Sequence, residues 1–218
     1  MNLLETYLQE LRTTKASGAA TKETSFYPAL LNLLNAVGKD KALQPHVRCV
    51  LTPKSKGAGI PDFGLFTIRQ LQKVKDDAQL LNLPPERGVL KVKGTSANVA
   101  KIAESEQVAK YLKQYGQVLV TNYRDFLLLG RDAAGQTVTL ESFHLAESET
   151  AFWQAPVETI CQAKGERFIE YLKRVMLHNA PLDKPADVAW FLASYARDAK
   201  ARNEGDGLGA LKVIRDVL

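Results

Sequence analysis

The reading of 87-RGVLKVKG-94 decides the fold. As a strand, it alternates Leu90 and Val92 on one face with Val89, Lys91 and Lys93 on the other. The two lysines then stand about 6–7 Å apart and point the same way. Ammonium groups that close repel one another, and an unpaired one is costly to bury. Either this face is open to water, or an anion belongs on it.

The chain around it has an ordinary globular composition: 218 residues, 45% hydrophobic and 24% charged. That is enough for one domain, or one and a half, with a real core. No apolar run approaches the ~18 residues of a membrane span, and the N-terminus carries no signal-peptide pattern. Cys49 and Cys161 lie far apart with neither metal nor redox spacing, which fits a reducing, cytoplasmic setting. A formal charge of +5 and a pI near 9.1 are compatible with a polyanionic partner without requiring one.

Outward from the quoted stretch, hydrophobic periodicity predicts an order of elements. Residues 2–14 form an amphipathic helix through Leu3, Leu4, Tyr7, Leu8 and Leu11. A loop with a candidate cap at Thr21 leads to a second helix over 22–37, where Pro28 implies either a kink or a late start. Strands follow at 46–52 and 60–68, the second broken by Gly64, with the basic loop 53–59 between them. A helix over 69–85 precedes the lysine strand, and a single helix over 98–116 ends at Gly116. Strands at 117–122, 124–130 and 136–143 come next, the last two as a hairpin. Everything past about residue 151 reads as helical: 155–178, 185–202 and 208–218. The last helix stops in mid-pattern, as a piece of a longer polypeptide would, although natural chains also end in helices. The expected fold is therefore α/β, a mixed sheet with helices on its faces and an all-helical C-terminal extension, with the boundary near residue 150.

If the strands at 60–68 and 88–93 pair, Asp62 comes within a few ångströms of the lysine face. An Asp followed by a strand bearing acid-x-Lys is the layout of a Mg²⁺-dependent phosphodiesterase, in which carboxylates hold the metal and the lysine stabilises developing charge. Glu23 stands on the helix before these strands. Gln107 and Tyr111, at i and i+4, share one face of the helix after them.

Taken together, Glu23, Asp62, position 91, Lys93, Gln107 and Tyr111 resemble the PD-(D/E)xK nuclease superfamily in order and spacing. The wording of 59-GIPDFGLF-66 and 104-ESEQVAKYLKQYGQVLVTNYRDFLLLG-130 is similar to the N-terminal nuclease domain of fused restriction–modification enzymes of type IIG or ISP-like organisation. That resemblance implies a restriction-endonuclease-like core over residues 1–150 and a helical connector over 151–218, cut before an adenine-N6 DNA methyltransferase and a target-recognition domain. It implies double-stranded DNA as partner and no membrane. Mg²⁺ would be the cofactor of an active form, with S-adenosylmethionine confined to the absent downstream domains. Within it, Asp62 and Glu23 would be metal-side carboxylates, Lys93 would stabilise charge or orient water, and Gln107 with Tyr111 would assist at the phosphate or the lysine. No Asn/Asp-Pro-Pro-Tyr/Phe motif is present, and 205-GDGLG-209 lies between predicted helices and so is no cofactor loop.

The sequence departs from the superfamily pattern at Lys91, which occupies the acid position. A cation there replaces a carboxylate, offers no lone pair to a metal and can pair with Asp62 or Glu23. The expectation is weak or absent Mg²⁺ binding and impaired cleavage, through an introduced, selected or natural change. The rival reading is a naturally degenerate, non-catalytic DNA-binding or interdomain docking module; a repair nuclease of the same fold would share the chemistry but not the substrate. Each residue also has a plainer role. Glu23 suits a helix first turn, Asp62 a turn, and Gln107 and Tyr111 an amphipathic helix. Arg48, Lys54 and Lys56 are candidate DNA-phosphate contacts. His46, His144 and His178 lack ligand spacing, and Trp153 and Trp190 read as packing residues.

Overall fold

The computed structural model describes residues 2–18, 23–41, 43–53, 57–74, 83–178, 180–181 and 185–205. The chain divides into two compact units, Met1–Ala180 and Pro181–Leu218.

In the first unit, helix α1 (Leu3–Ala16) buries Leu4, Tyr7, Leu8 and Leu11, and the side chain of Asn2 caps it by accepting from the Leu4 N–H. A 3₁₀ turn (Glu23–Phe26) leads into α2 (Tyr27–Gly38). Pro28 sits in the first turn of α2, where its missing N–H costs no intrahelical bond. The helix expected from residue 22 therefore starts late, and the proline does not kink it. The candidate cap Thr21 lies outside the described residues.

Among the described residues six strands form one sheet: β1 (Val47–Leu51), β2 (Phe63–Thr67), β3 (Val89–Val92), β4 (Val118–Thr121), β5 (Asp125–Arg131) and β6 (Thr137–His144). They lie in chain order, antiparallel except for the parallel pair β3–β4. This is the mixed α/β sheet that the sequence predicts, and the β5–β6 hairpin is the expected one. The parallel pair needs a crossover, supplied by α4 (Val99–Ala103) and α5 (Glu106–Tyr115). The single helix expected over 98–116 is thus two. Ser105 breaks it, because its hydroxyl accepts from the Val108 N–H and starts a new N-terminus. Between β2 and β3, α3 (Ile68–Gln72) begins the helix expected over 69–85; residues 75–82 are outside the described set.

Two glycines shape the strands that carry the lysines and Asp62. Gly64, expected to break its strand, lies within β2; a Cβ there would meet Phe66, Pro85 and Pro53 at 2.8–2.9 Å, so its absence lets the flanking loops lie against the strand. Gly88 enters β3 with φ +81, and a Cβ would stand 2.3 Å from the Gln117 side chain.

Both faces of the sheet are covered. On the α4–α5 side, Val89 packs with Val99, Val108, Tyr111, Leu112, Val118 and Val120. On the opposite side, Phe126 and Phe143 meet Phe168 of α7 (Val157–Leu177) at ring-centroid distances of 4.9 and 5.3 Å. Full burial of such side chains contributes about 1.5–3 kcal/mol each. The helix expected over 155–178 begins only after Pro156, and a separate short helix, α6 (Glu149–Gln154), precedes it. The change of style near residue 150 falls inside the first compact unit, because α7 supplies the apolar surface that closes this sheet face and packs on α1.

In the second unit, α8 (Pro185–Gly205) covers the expected 185–202 helix. Its Phe191 contacts Trp190 and Tyr195, and Arg202 pairs with Asp198 one turn back. The helix expected over 208–218 lies outside the described residues. Among the described residues, no helix is long and apolar enough to cross a membrane.

Candidate functional site

β2 and β3 pair with Phe63 opposite Leu90, so Asp62, just before β2, lies across from the lysine end of β3. Its N–H donates to the Leu90 carbonyl at 3.2 Å, and its Oδ2 accepts from the Val92 N–H at 2.8 Å. The aspartate is thereby locked to β3 by backbone at both ends. Strand alternation sends Lys91 and Lys93 out together, and each finds a carboxylate. Lys91 Nζ stands 3.2 Å from Asp62 Oδ2, and Lys93 Nζ stands 3.3 Å from Glu23 Oε1. The Lys91–Asp62 pair is nearly buried, with side chains 12% and 15% exposed; Lys93, at 42%, reaches the solvent. Glu23, Asp62, Lys91 and Lys93 thus meet at one end of the sheet. Both alternatives for the lysine face hold in part: each lysine has an anion supplied by the protein itself, and Lys93 is also open to water.

A tyrosine that the sequence reading passed over completes the shell of Asp62. Tyr27, at the start of α2, donates its hydroxyl to Asp62 Oδ1 at 2.8 Å. Burial, and then the bond to Asp62, push its pKa far above the ordinary tyrosine range, so it remains a donor at any ordinary pH. Tyr123 was also missed. Its backbone lies at φ +72, in the turn between β4 and β5, a conformation that costs a bulky residue of order 1–3 kcal/mol. The fully buried ring offsets that cost: it packs edge-on against Phe26 at 5.4 Å, and its hydroxyl donates to the Glu23 carbonyl at 2.5 Å. Tyr7 in turn donates to the Tyr123 carbonyl at 2.9 Å. Glu23 is held in place through a chain of hydroxyls that begins in α1. The one sequence signal for these residues was the spacing of Glu23 and Tyr27; nothing local marks Tyr123.

Gln107 and Tyr111 do share a face of α5, and Gln107 Nε2 donates to the Tyr111 hydroxyl at 2.9 Å. That hydroxyl donates to the Ile60 carbonyl at 2.8 Å, two residues before Asp62. Gln114 Oε1, one turn further along α5, accepts from the Ala58 N–H at 3.1 Å. The pair therefore fastens the loop that delivers Asp62. Burial and the nearby Asp62 charge push the Tyr111 pKa up to about 12 against the bond from Gln107, so the phenol stays protonated as this tether requires.

Arg48 is exposed on β1, while Lys54 and Lys56 lie outside the described residues. His144 serves a different carboxylate, Asp125, at 2.9 Å. Trp153 packs beside Phe26 and Phe152 with Lys15 over its ring, as a packing residue should. Cys49 and Cys161 are both free thiols.

The residues present do not suit Mg²⁺. Each carboxylate oxygen has about two acceptor sites. Asp62 Oδ2 is occupied by Lys91 and Val92, and Oδ1 holds Tyr27, while Glu23 faces Lys93. Mg²⁺ demands near-octahedral oxygen donors at about 2.0–2.1 Å, and an ammonium already stands against the best of them. Among the described residues, no three His, Cys, Asp or Glu side chains are grouped to hold a metal ion.

No protein-family model matches the chain, and no curated protein does. Among solved structures it is similar to a chain of the DrdV–DNA complex determined by cryo-electron microscopy. The match has a TM-score of 0.46 and 16% identity, over 70% of this chain and 96% of that one.

Proposed function

We propose that this chain is the endonuclease-type domain of a restriction–modification enzyme, a phosphodiesterase site for double-stranded DNA that Lys91 holds in an inactive form. The observation that carries this reading is the Lys91–Asp62 ion pair: the strand-borne ammonium at 3.2 Å stands where the superfamily pattern places a second carboxylate. Around it, the remaining pattern residues support the same reading. Asp62 stands just before β2 and Lys93 just after the neighbouring β3, Glu23 faces Lys93, and Gln107–Tyr111 secures the loop before Asp62.

In the wider proposal the domain is cytoplasmic and joined, through the helices after residue 151, to an adenine-N6 methyltransferase that uses S-adenosylmethionine and to a target-recognition domain. The deciding experiment is Lys91→Glu assayed for plasmid cleavage with Mg²⁺. Cleavage should appear, and should vanish again on adding Asp62→Ala or Lys93→Ala. If the folded Lys91→Glu protein binds DNA yet leaves it intact, the inactivated-nuclease reading is wrong.

The same ion pair also favours a second reading, a non-catalytic DNA-binding or docking module, because a satisfied Asp62 needs no metal. Calorimetric titration with Mn²⁺ separates the two. Binding gained by Lys91→Glu supports the nuclease, and none in either form supports the module.

A further inference from the structure

The charges of the site cancel pairwise: Asp62 against Lys91 at 3.2 Å, and Glu23 against Lys93 at 3.3 Å. With a carboxylate at position 91 the same four positions would sum to −2, three acids against Lys93. A DNA phosphate carries −1 and would be repelled from that pocket until a divalent cation neutralised it. The inner pair, at 12% and 15% exposure, is poorly reached by solvent ions, so mobile salt screens this field weakly. The outer ammonium, Lys93, is the more exposed of the two, with 42% of its side chain open to solvent.

We propose that Lys91 is a built-in counter-ion, which lets this site take a DNA phosphodiester with no divalent cation. The inference rests on the DNA reading above and deepens it: the substitution that removes the metal's place also removes the need for a metal in binding. The domain becomes a cation-independent DNA clamp, where the acid-bearing form would engage DNA only when loaded with metal. The Asp62 carboxylate keeps the ammonium at fixed depth, while Tyr27 and the Val92 N–H hold that carboxylate still. The neutralising ammonium is therefore fixed in place before a phosphate arrives, and the site shows that phosphate no net negative charge.

The test is fluorescence anisotropy of the full 218-residue chain on a short DNA duplex at constant ionic strength, in EDTA and in Ca²⁺. The native chain should bind equally well in both, within about twofold. Lys91→Glu should lose about tenfold or more in EDTA, equivalent to about 1.4 kcal/mol, and recover with Ca²⁺. Lys91→Gln, which brings the site to −1, guards against misfolding of the acidic variant and should fall between the two. Binding by the native chain that Ca²⁺ strengthens about tenfold, or a Lys91→Glu protein indifferent to Ca²⁺, overturns the counter-ion inference and leaves the DNA reading standing. If no form binds duplex under either condition, the DNA reading fails and the inference with it.

Discussion

Two aspartates in this protein are each surrounded by donors, yet they are built for different ends. Asp125 draws its partners from its own turn: Arg124 at 2.6 and 3.0 Å, Asn122 at 3.0 Å, and His144 from the neighbouring strand at 2.9 Å. Its own N–H returns to Asn122 Oδ1 at 2.7 Å, closing a local ring. Asp62 draws Tyr27, Lys91 and the Val92 N–H from α2 and β3, which meet only in the folded chain. The first is a turn lock. The second gathers charge from distant elements at the sheet end, beside a solvent-reaching lysine.

The comparison can be strained most severely at Asp125. Asp125→Ala leaves Arg124 without its carboxylate in a nearly buried turn, and should lower unfolding stability by about 2–4 kcal/mol, read from urea midpoints. Lys91→Ala should cost less, about 1–2 kcal/mol, because Tyr27 and the Val92 N–H still satisfy Asp62 and water can reach it. If Lys91→Ala proves the more damaging, the two sites have been assigned the wrong way round. Tyr27→Phe should remove about 1 kcal/mol. In a Lys91→Glu background that cleaves, it should slow cleavage without abolishing it, since the Tyr27 hydroxyl acts by positioning Asp62. Smallest of all, Lys93→Ala should change stability by less than about 0.5 kcal/mol, as befits a half-exposed pair, while abolishing any regained cleavage.

Acid tests the Asp125 lock directly. Burial alone would raise the Asp125 pKa, but the bonds from His144, Arg124 and Asn122 more than reverse it and hold it below its usual 3.8. A carboxylate depressed in the folded state stabilises the protein above its unfolded pKa, and that stabilisation is lost as pH falls through the folded value. The stability gap between the native chain and Asp125→Asn should therefore be open at neutral pH and close below about pH 4. A gap that persists at strongly acidic pH would mean that the cluster acts through packing.

Much of the fold was legible because it is periodic. All six strands lie within a few residues of their expected positions, since alternation and turn residues are local signals. The misreadings came where a local cap or a cover decided: Ser105 splitting one helix, and Gly64 staying in its strand beneath Pro53 and Pro85; at Pro28 the structure chose the late start over the kink. Periodicity cannot register a hydroxyl that turns back to cap, or a loop that needs room above a strand. At the site, the order Glu23, Asp62, Lys91, Lys93, Gln107, Tyr111 was readable as a pattern, and two lysines on one face pointed either to water or to an anion without saying which.

What the sequence determined by itself was the residue set and the parity of β3, because side-chain direction in a strand follows from the pleat alone. What tertiary structure decided was the pairing: Lys91 to Asp62, Lys93 to Glu23, Tyr27 to the free oxygen of Asp62, and Tyr123 to the backbone of Glu23. Those partners lie on elements brought together by the β2–β3 register and the helices over the sheet. Distances of about 3 Å between residues so far apart in the chain are set by packing, and no local pattern encodes them.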